Sequence, residues 1–182
     1  MQSLSKFLFE SEDIHDYYSV QLDFPGLTTY DKVIEIIDKS DLLPLPKEDS
    51  RPTGVEEEPH ITVAYGFHDD FKNEIEKLVE DYGPIEVRFG NMKMFADNPN
   101  HDCIVVEAKS KKLMQLRRAL IREFPNTQTF DNYIPHLTLA YLKKGKADIY
   151  DGQKCFLTGK EATAYMLTCS GKNENKQYVY LV

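Results

Sequence analysis

The chain has no excess of positive charge: 22 lysines and arginines stand against 30 aspartates and glutamates in 182 residues, for a net charge of −8, and its basic runs are short. Proteins that grip long nucleic acid neutralise many phosphates with basic side chains, so long nucleic acid is not expected as the main partner. A small nucleotide held in one locally positive pocket is not excluded. Cysteine is also scarce. Cys103, Cys155 and Cys169 form an odd set at spacings that fit no disulfide or metal framework, which predicts reduced thiols and a cytoplasmic location. No apolar run is long enough for a membrane span or the core of a signal peptide, so no membrane partner is expected. The length suits one well-buried domain, or two small lobes sharing a core, and the expected state is a monomer.

What the chain does have is a repeat. Pro59-His60-Ile61-Thr62-Val63-Ala64-Tyr65 and Pro135-His136-Leu137-Thr138-Leu139-Ala140-Tyr141 are identical at five of seven positions, at a constant offset of 76 residues. Each copy alternates small or polar residues with large apolar ones, the period of a half-buried strand. His and Thr then share a face about 6.6 Å apart along the strand, a span that brackets one phosphate group. Strict alternation sends Tyr65 and Tyr141 to the opposite face, into the core. A single strand histidine is ordinarily a hydrogen-bonded structural residue. Two of them, each followed by Thr at the same offset, point to a site.

Strand and helix signals alternate around the two copies. Tyr17 to Phe24 reads as a strand, followed by a helix capped by Thr28 or Thr29 and running to about Ser40. Leu43 to Glu58 has the prolines and charge of a loop, either a lid over a bound nucleotide or a solvated connector. A helix is expected over about Phe71 to Tyr82, and a hairpin from the strands Ile85–Phe95 and Cys103–Ala108. Ser110 caps a helix to Phe124. Two further strands, about Thr163 to Cys169 and Gln177 to Val182, close the chain. The order predicts an α+β fold of two duplicated αβ lobes with antiparallel sheets, each lobe giving one His-Thr pair to a shared cleft. Residues 1–15 read as a leader or short amphipathic helix, and 16–182 as one bilobal domain.

Two H-x-T strands in this setting resemble the 2H phosphoesterase superfamily, which includes 2′-5′ RNA ligase-like proteins and cyclic nucleotide phosphodiesterases. The resemblance spans about Tyr17 to Val182. It implies a bilobal fold, no metal or other cofactor, and cleavage or transfer at a phosphodiester, with His60, Thr62, His136 and Thr138 as the motif residues. Several RNA-ligase-like members carry a basic residue five positions after the second histidine. Tyr141 stands there in this chain, which shifts the phosphate or base contact to Lys143 or Lys144. Ser3 to Glu12, with Leu8-Phe9-Glu10, resembles leaders on proteins of T4-type bacteriophages. A phage enzyme similar to anti-CBASS nucleases, acting on cyclic oligonucleotides in the host cytoplasm, follows from that resemblance.

The residue types suit the chemistry. Phosphodiester cleavage removes a proton from an attacking oxygen and delivers one to a leaving oxygen, and imidazole does either near neutrality. Threonine hydroxyls donate to the non-bridging oxygens. The order of the two histidines, base or acid, stays open at this level. For base stacking the candidates are Tyr17 or Tyr18, Phe67, Phe95, Phe130 and Tyr133. His15, His68 and His101 read as surface or capping residues, although His68-Asp69 and His101-Asp102 are similar to the metal-binding pair of HD-type phosphohydrolases. The expected partner is a small nucleotide, a cyclic oligonucleotide or a 2′-5′-linked oligoadenylate. The alternatives are an RNA-end enzyme that opens 2′,3′-cyclic phosphates or joins tRNA halves, and a non-catalytic nucleotide-binding module.

Overall fold

Apolar residues recurring at every second position along the strands decide which faces are buried. In a computed structural model, which describes residues 17–44, 54–127, 132–171 and 176–182, they build eight strands. These are β1 (Tyr18–Asp23), β2 (His60–Phe67), β3 (Ile85–Phe95), β4 (His101–Lys109), β5 (His136–Lys143), β6 (Glu161–Ala164), β7 (Met166–Ser170) and β8 (Lys176–Tyr180). Three α-helices accompany them: α1 (Tyr30–Ile36), α2 (Lys72–Val79) and α3 (Lys111–Glu123). The expected 1–15 leader, His15 and Phe130 lie outside the described residues.

Two antiparallel four-stranded sheets result, in the orders β2-β1-β7-β8 and β5-β4-β3-β6. Both H-x-T strands are therefore edge strands, and β2 packs against β5 where the sheets adjoin. Val20, Leu22, Ile61, Leu167 and Val179 of the first sheet share one buried cluster with Ile104, Val106 and Leu137 of the second. Leu113, Leu116 and Leu120 of α3 complete it from above β2 and β3. The Ser110 hydroxyl accepts the Leu113 backbone N–H and starts α3, as its sequence predicts. Proline at 125 cannot continue it.

Three expectations need correction. The single strand read over Thr163 to Cys169 is two: β6 pairs with β3 in the second sheet and β7 pairs with β1 in the first, and Tyr165 between them is 61% exposed. Chain order and lobe membership thus diverge, because the C-terminal strands return to the lobe begun by β1 and β2. The first helix stops at Ile36, short of Ser40, and Thr29 turns its hydroxyl away to donate to the Glu56 carbonyl. The loop after Leu43 is neither free lid nor simple connector at its ends. Leu43 N–H donates to the Tyr141 carbonyl, Tyr141 N–H to the Gly54 carbonyl and Glu56 N–H to the Leu139 carbonyl, so both ends clamp the outer edge of β5. Residues 45–53 between them lie outside the described residues.

Candidate active site

The heptapeptide repeat carries a backbone irregularity that its composition does not announce. In β2 the register skips Val63, with Gln21 opposite Thr62 and Val20 opposite Ala64. In β5 it skips the equivalent Leu139, with Val105 opposite Thr138 and Ile104 opposite Ala140. One extra residue reverses the alternation beyond it. Tyr65 therefore lies opposite Ser19, and Tyr141 opposite Cys103, on the faces that carry Thr62 and Thr138 rather than in the main core. Tyr141 is buried, but in a separate small cluster with Leu43 and Cys103. The core placement read from strict alternation is corrected in both copies.

The histidines are held alike. Nδ1 of His60 lies 2.7 Å from the Glu58 carbonyl, and Nδ1 of His136 lies 2.7 Å from the Ile134 carbonyl. A carbonyl only accepts, so each Nδ1 carries hydrogen and donates, which leaves Nε2 as the nitrogen that can take up or release a proton. The neutral ring then offers a lone pair at Nε2, and the protonated ring offers a proton there. Their surroundings differ. Burial holds the His136 pKa below the ordinary imidazole value, the bond to Ile134 opposes that, and repulsion by a charged His60 adds to it. Phe95 packs edge-to-face on His136 with ring centroids 4.7 Å apart, which accounts for part of that burial.

Around His60 the first sheet supplies polar groups that the sequence alone does not connect with it. Asp23 is its cross-strand partner on β1, and the Thr168 hydroxyl of β7 donates to the Asp23 carboxylate. Burial raises the Asp23 pKa, while that hydrogen bond and the attraction of His60 work against the rise. Lys176 of β8 donates to the side chain of Glu58, whose carbonyl holds His60. On the second sheet Glu107 lies opposite His136 and pairs with Lys93 at 3.2 Å.

The proposed substrate contacts divide sharply. Phe95 reaches the site. Phe67 does not: it is 2% exposed and packs edge-on against Phe124 in the core. Tyr18 rests against the core with its ring over Gly171. Tyr133 is close to the site in another role, since its hydroxyl donates to the Thr62 carbonyl at 2.8 Å and its ring is covered by the Arg117 guanidinium at 3.9 Å. Arg117 also donates to the carbonyl of Val63, the bulge residue, at 2.8 Å. Lys143 donates to the Ser40 carbonyl. It stands seven residues along β5 from His136, roughly 23 Å in an extended strand, which is too far to share a phosphate with it. Lys144 spends its ammonium on the carbonyls of Ala96 and Asn98 and on Asp102 at 3.0 Å. Neither lysine replaces the basic residue absent at 141. Tyr17 lies against Tyr65 and His68, with centroids 6.0 and 5.6 Å away.

His68 bonds the Thr127 hydroxyl, and His101 is buried beside Tyr141. Among the described residues no three His, Cys, Asp or Glu side chains converge to hold a metal ion. No helix among them is long and apolar enough to cross a membrane.

Comparison with known proteins agrees with this geometry. Residues 46–154, more than half of the chain and including both H-x-T copies, match the 2′-5′ RNA ligase superfamily. No curated protein matches the sequence. Among solved structures the chain is similar to Escherichia coli LigT complexed with 3′-AMP (TM-score 0.53, 12% identity, 92% of this chain and 95% of that one). It is likewise similar to TT0787 of Thermus thermophilus (TM-score 0.52, 14% identity, 91% and 95%). At such identities the likeness is one of fold. With the sequence match spanning two histidine strands that the fold sets side by side, the chain belongs to the 2′-5′ RNA ligase superfamily of 2H phosphoesterases and is a phosphodiesterase of that type.

Proposed function

We propose that the chain cleaves a phosphodiester in a small cyclic or 2′-5′-linked oligonucleotide by proton transfer between two imidazoles. The observation that carries this reading is the matched pair of histidines, each with Nδ1 tied to the carbonyl two residues upstream and Nε2 left to work. His136, kept neutral by burial, takes the proton from the attacking oxygen. His60, the cross-strand neighbour of Asp23, delivers a proton to the leaving oxygen. The bond from the attacking oxygen to phosphorus forms as the opposite phosphorus–oxygen bond breaks. One proton is taken up by the protein and one given out, so the cycle closes once the two histidines re-equilibrate with water. Thr62 and Thr138 donate to the non-bridging oxygens.

The substrate class is supported by the acidic net charge and the lack of a basic tract, which suit a small ligand better than tRNA. The structural relative solved with 3′-AMP is in keeping with a nucleotide ligand. Destruction of cyclic di- and trinucleotide immune messengers in a host cytoplasm is the biological role that such a substrate suggests. The superfamily match favours a second reading, in which the chain opens RNA 2′,3′-cyclic phosphates or joins RNA ends. Incubation in chelator with cyclic dinucleotides, cyclic trinucleotides, 2′-5′ oligoadenylate and 2′,3′-cyclic mononucleotides, with products resolved by chromatography, decides among them. Turnover of the first three classes supports the proposal, and turnover of the last alone supports the second reading. No turnover anywhere returns the chain to a binding module.

A further inference from the structure

We infer that Tyr178 and Tyr180 form a second nucleobase subsite, so that the enzyme reads at least one nucleotide beyond the scissile phosphate. The inference takes from the proposed function only the placement of that phosphate at Thr62 and His60. Cross-strand partners share a face of a sheet. Thr62 lies opposite Gln21, Gln21 opposite Thr168, and Thr168 opposite Tyr178, so one unbroken row crosses the first sheet from the catalytic threonine to β8. Tyr180 lies opposite Met166 and Lys176 opposite Ser170, which puts Lys176, Tyr178 and Tyr180 side by side on that same face. The buried partner on β8 is Val179, pointing the other way.

Both rings lie open to solvent, Tyr178 at 48% and Tyr180 at 67% exposure. Among the described residues no aromatic ring stacks on either. Three strand spacings separate Thr62 from Tyr178, about 14 Å. That is beyond the base of the nucleoside whose phosphate sits at Thr62, and within reach of the next. The ground between is polar: the half-buried Gln21 offers hydrogen-bonding groups where the sugar-phosphate backbone would pass, and Thr168 beside it is buried with its hydroxyl on Asp23. Two aromatic faces at alternate positions, about 6.6 Å apart and preceded on the strand by Lys176, form a stacking platform continuous with the site.

The test measures binding apart from turnover. In a His60→Ala/His136→Ala background, calorimetry gives the affinities for 2′-5′-linked triadenylate, 3′-5′-linked triadenylate and 3′-AMP. The expected result is a preference for a triadenylate over 3′-AMP that falls about 5- to 150-fold on Tyr178→Ala and is kept by Tyr178→Trp. The tryptophan variant also shows that the position tolerates change without unfolding. A preference unaffected by Tyr178→Ala, an equal loss for 3′-AMP and triadenylate, or no triadenylate binding at all would overturn the subsite. A Tyr178-dependent change in sedimentation without a change in affinity would assign the face to self-association and overturn it too. Tyr178-dependent binding by a protein whose parent shows no turnover keeps the subsite and removes only the catalytic proposal.

Discussion

Nδ1 of each motif histidine is committed to a backbone carbonyl, so the proposed chemistry rests on two Nε2 atoms. Burial disfavours the charged form of His136, and its folded pKa lies below the usual 6.5. As a base it works only when neutral, so kcat/KM is expected to fall with decreasing pH through a midpoint below 6.5. A midpoint above that value would contradict the assignment of His136 as base. His60→Ala and His136→Ala are each expected to lower kcat by on the order of 10²- to 10⁴-fold with an unchanged melting temperature, and Thr62→Ala or Thr138→Ala by about 10²-fold. Lys144 separates a structural from a substrate role. Its ammonium faces Asp102, whose side chain is 2% exposed, although the Gly145 N–H also supports that carboxylate. Lys144→Met is expected to cost on the order of 1–3 kcal/mol, seen as a lower denaturation midpoint, and to leave KM unchanged. A raised KM in a protein of normal stability would restore Lys144 as a phosphate contact.

At the scale of elements, the bulges in β2 and β5 explain both a sequence feature that was legible and one that was not. The H-x-T pairs could be read because His and Thr lie before the bulge, where simple alternation holds. The faces of Tyr65 and Tyr141 could not, because a bulge is created by the register of the neighbouring strand, and Val63 and Leu139 look like any strand residues. Each bulge carbonyl is then satisfied from outside its sheet, Val63 by Arg117 and Leu139 by the Glu56 N–H. Tyr133 and Arg117 together fasten β2 from α3 and the approach to β5. Tyr133→Phe leaves the Thr62 carbonyl short of its donor and is expected to lower kcat about tenfold through misplacement of Thr62, with the pH profile retained. A shifted pH profile would mean that Tyr133 acts on the reacting groups themselves. Gly66 marks the second irregularity of β2. Its φ of +95° belongs to the left-handed region, and an added Cβ would lie 2.1 Å from the Thr127 carbonyl oxygen. Gly66→Ala is expected to destabilise the protein by about 3 kcal/mol or more, read by chemical denaturation.

Across the whole molecule, what escaped sequence reading came from distant chain segments. Thr168 and Lys176 join the surroundings of His60 only because β7 and β8 return to the first sheet, long after β2 in the chain, whereas Asp23 reaches it across the β1–β2 pair. No local pattern records that return. Alternation at Thr163 to Cys169 is continuous enough to read as one strand, although the chain changes sheets at Tyr165. The same interleaving has a thermodynamic consequence. A tandem duplication with separate lobes would unfold in two steps, or survive being cut between its copies. Here the first sheet without β7 and β8 is a two-stranded pair, which water does not sustain alone, and the buried cluster runs through both sheets and α3. The full chain is therefore expected to melt in one cooperative transition, with far-ultraviolet and near-ultraviolet circular dichroism giving the same midpoint. A fragment of residues 1–84, although it holds an entire H-x-T copy, is expected to show no cooperative melt. A folded, melting fragment, or two separated transitions in the full chain, would show that the lobes are independent and that the shared core is not what holds β2 against β5.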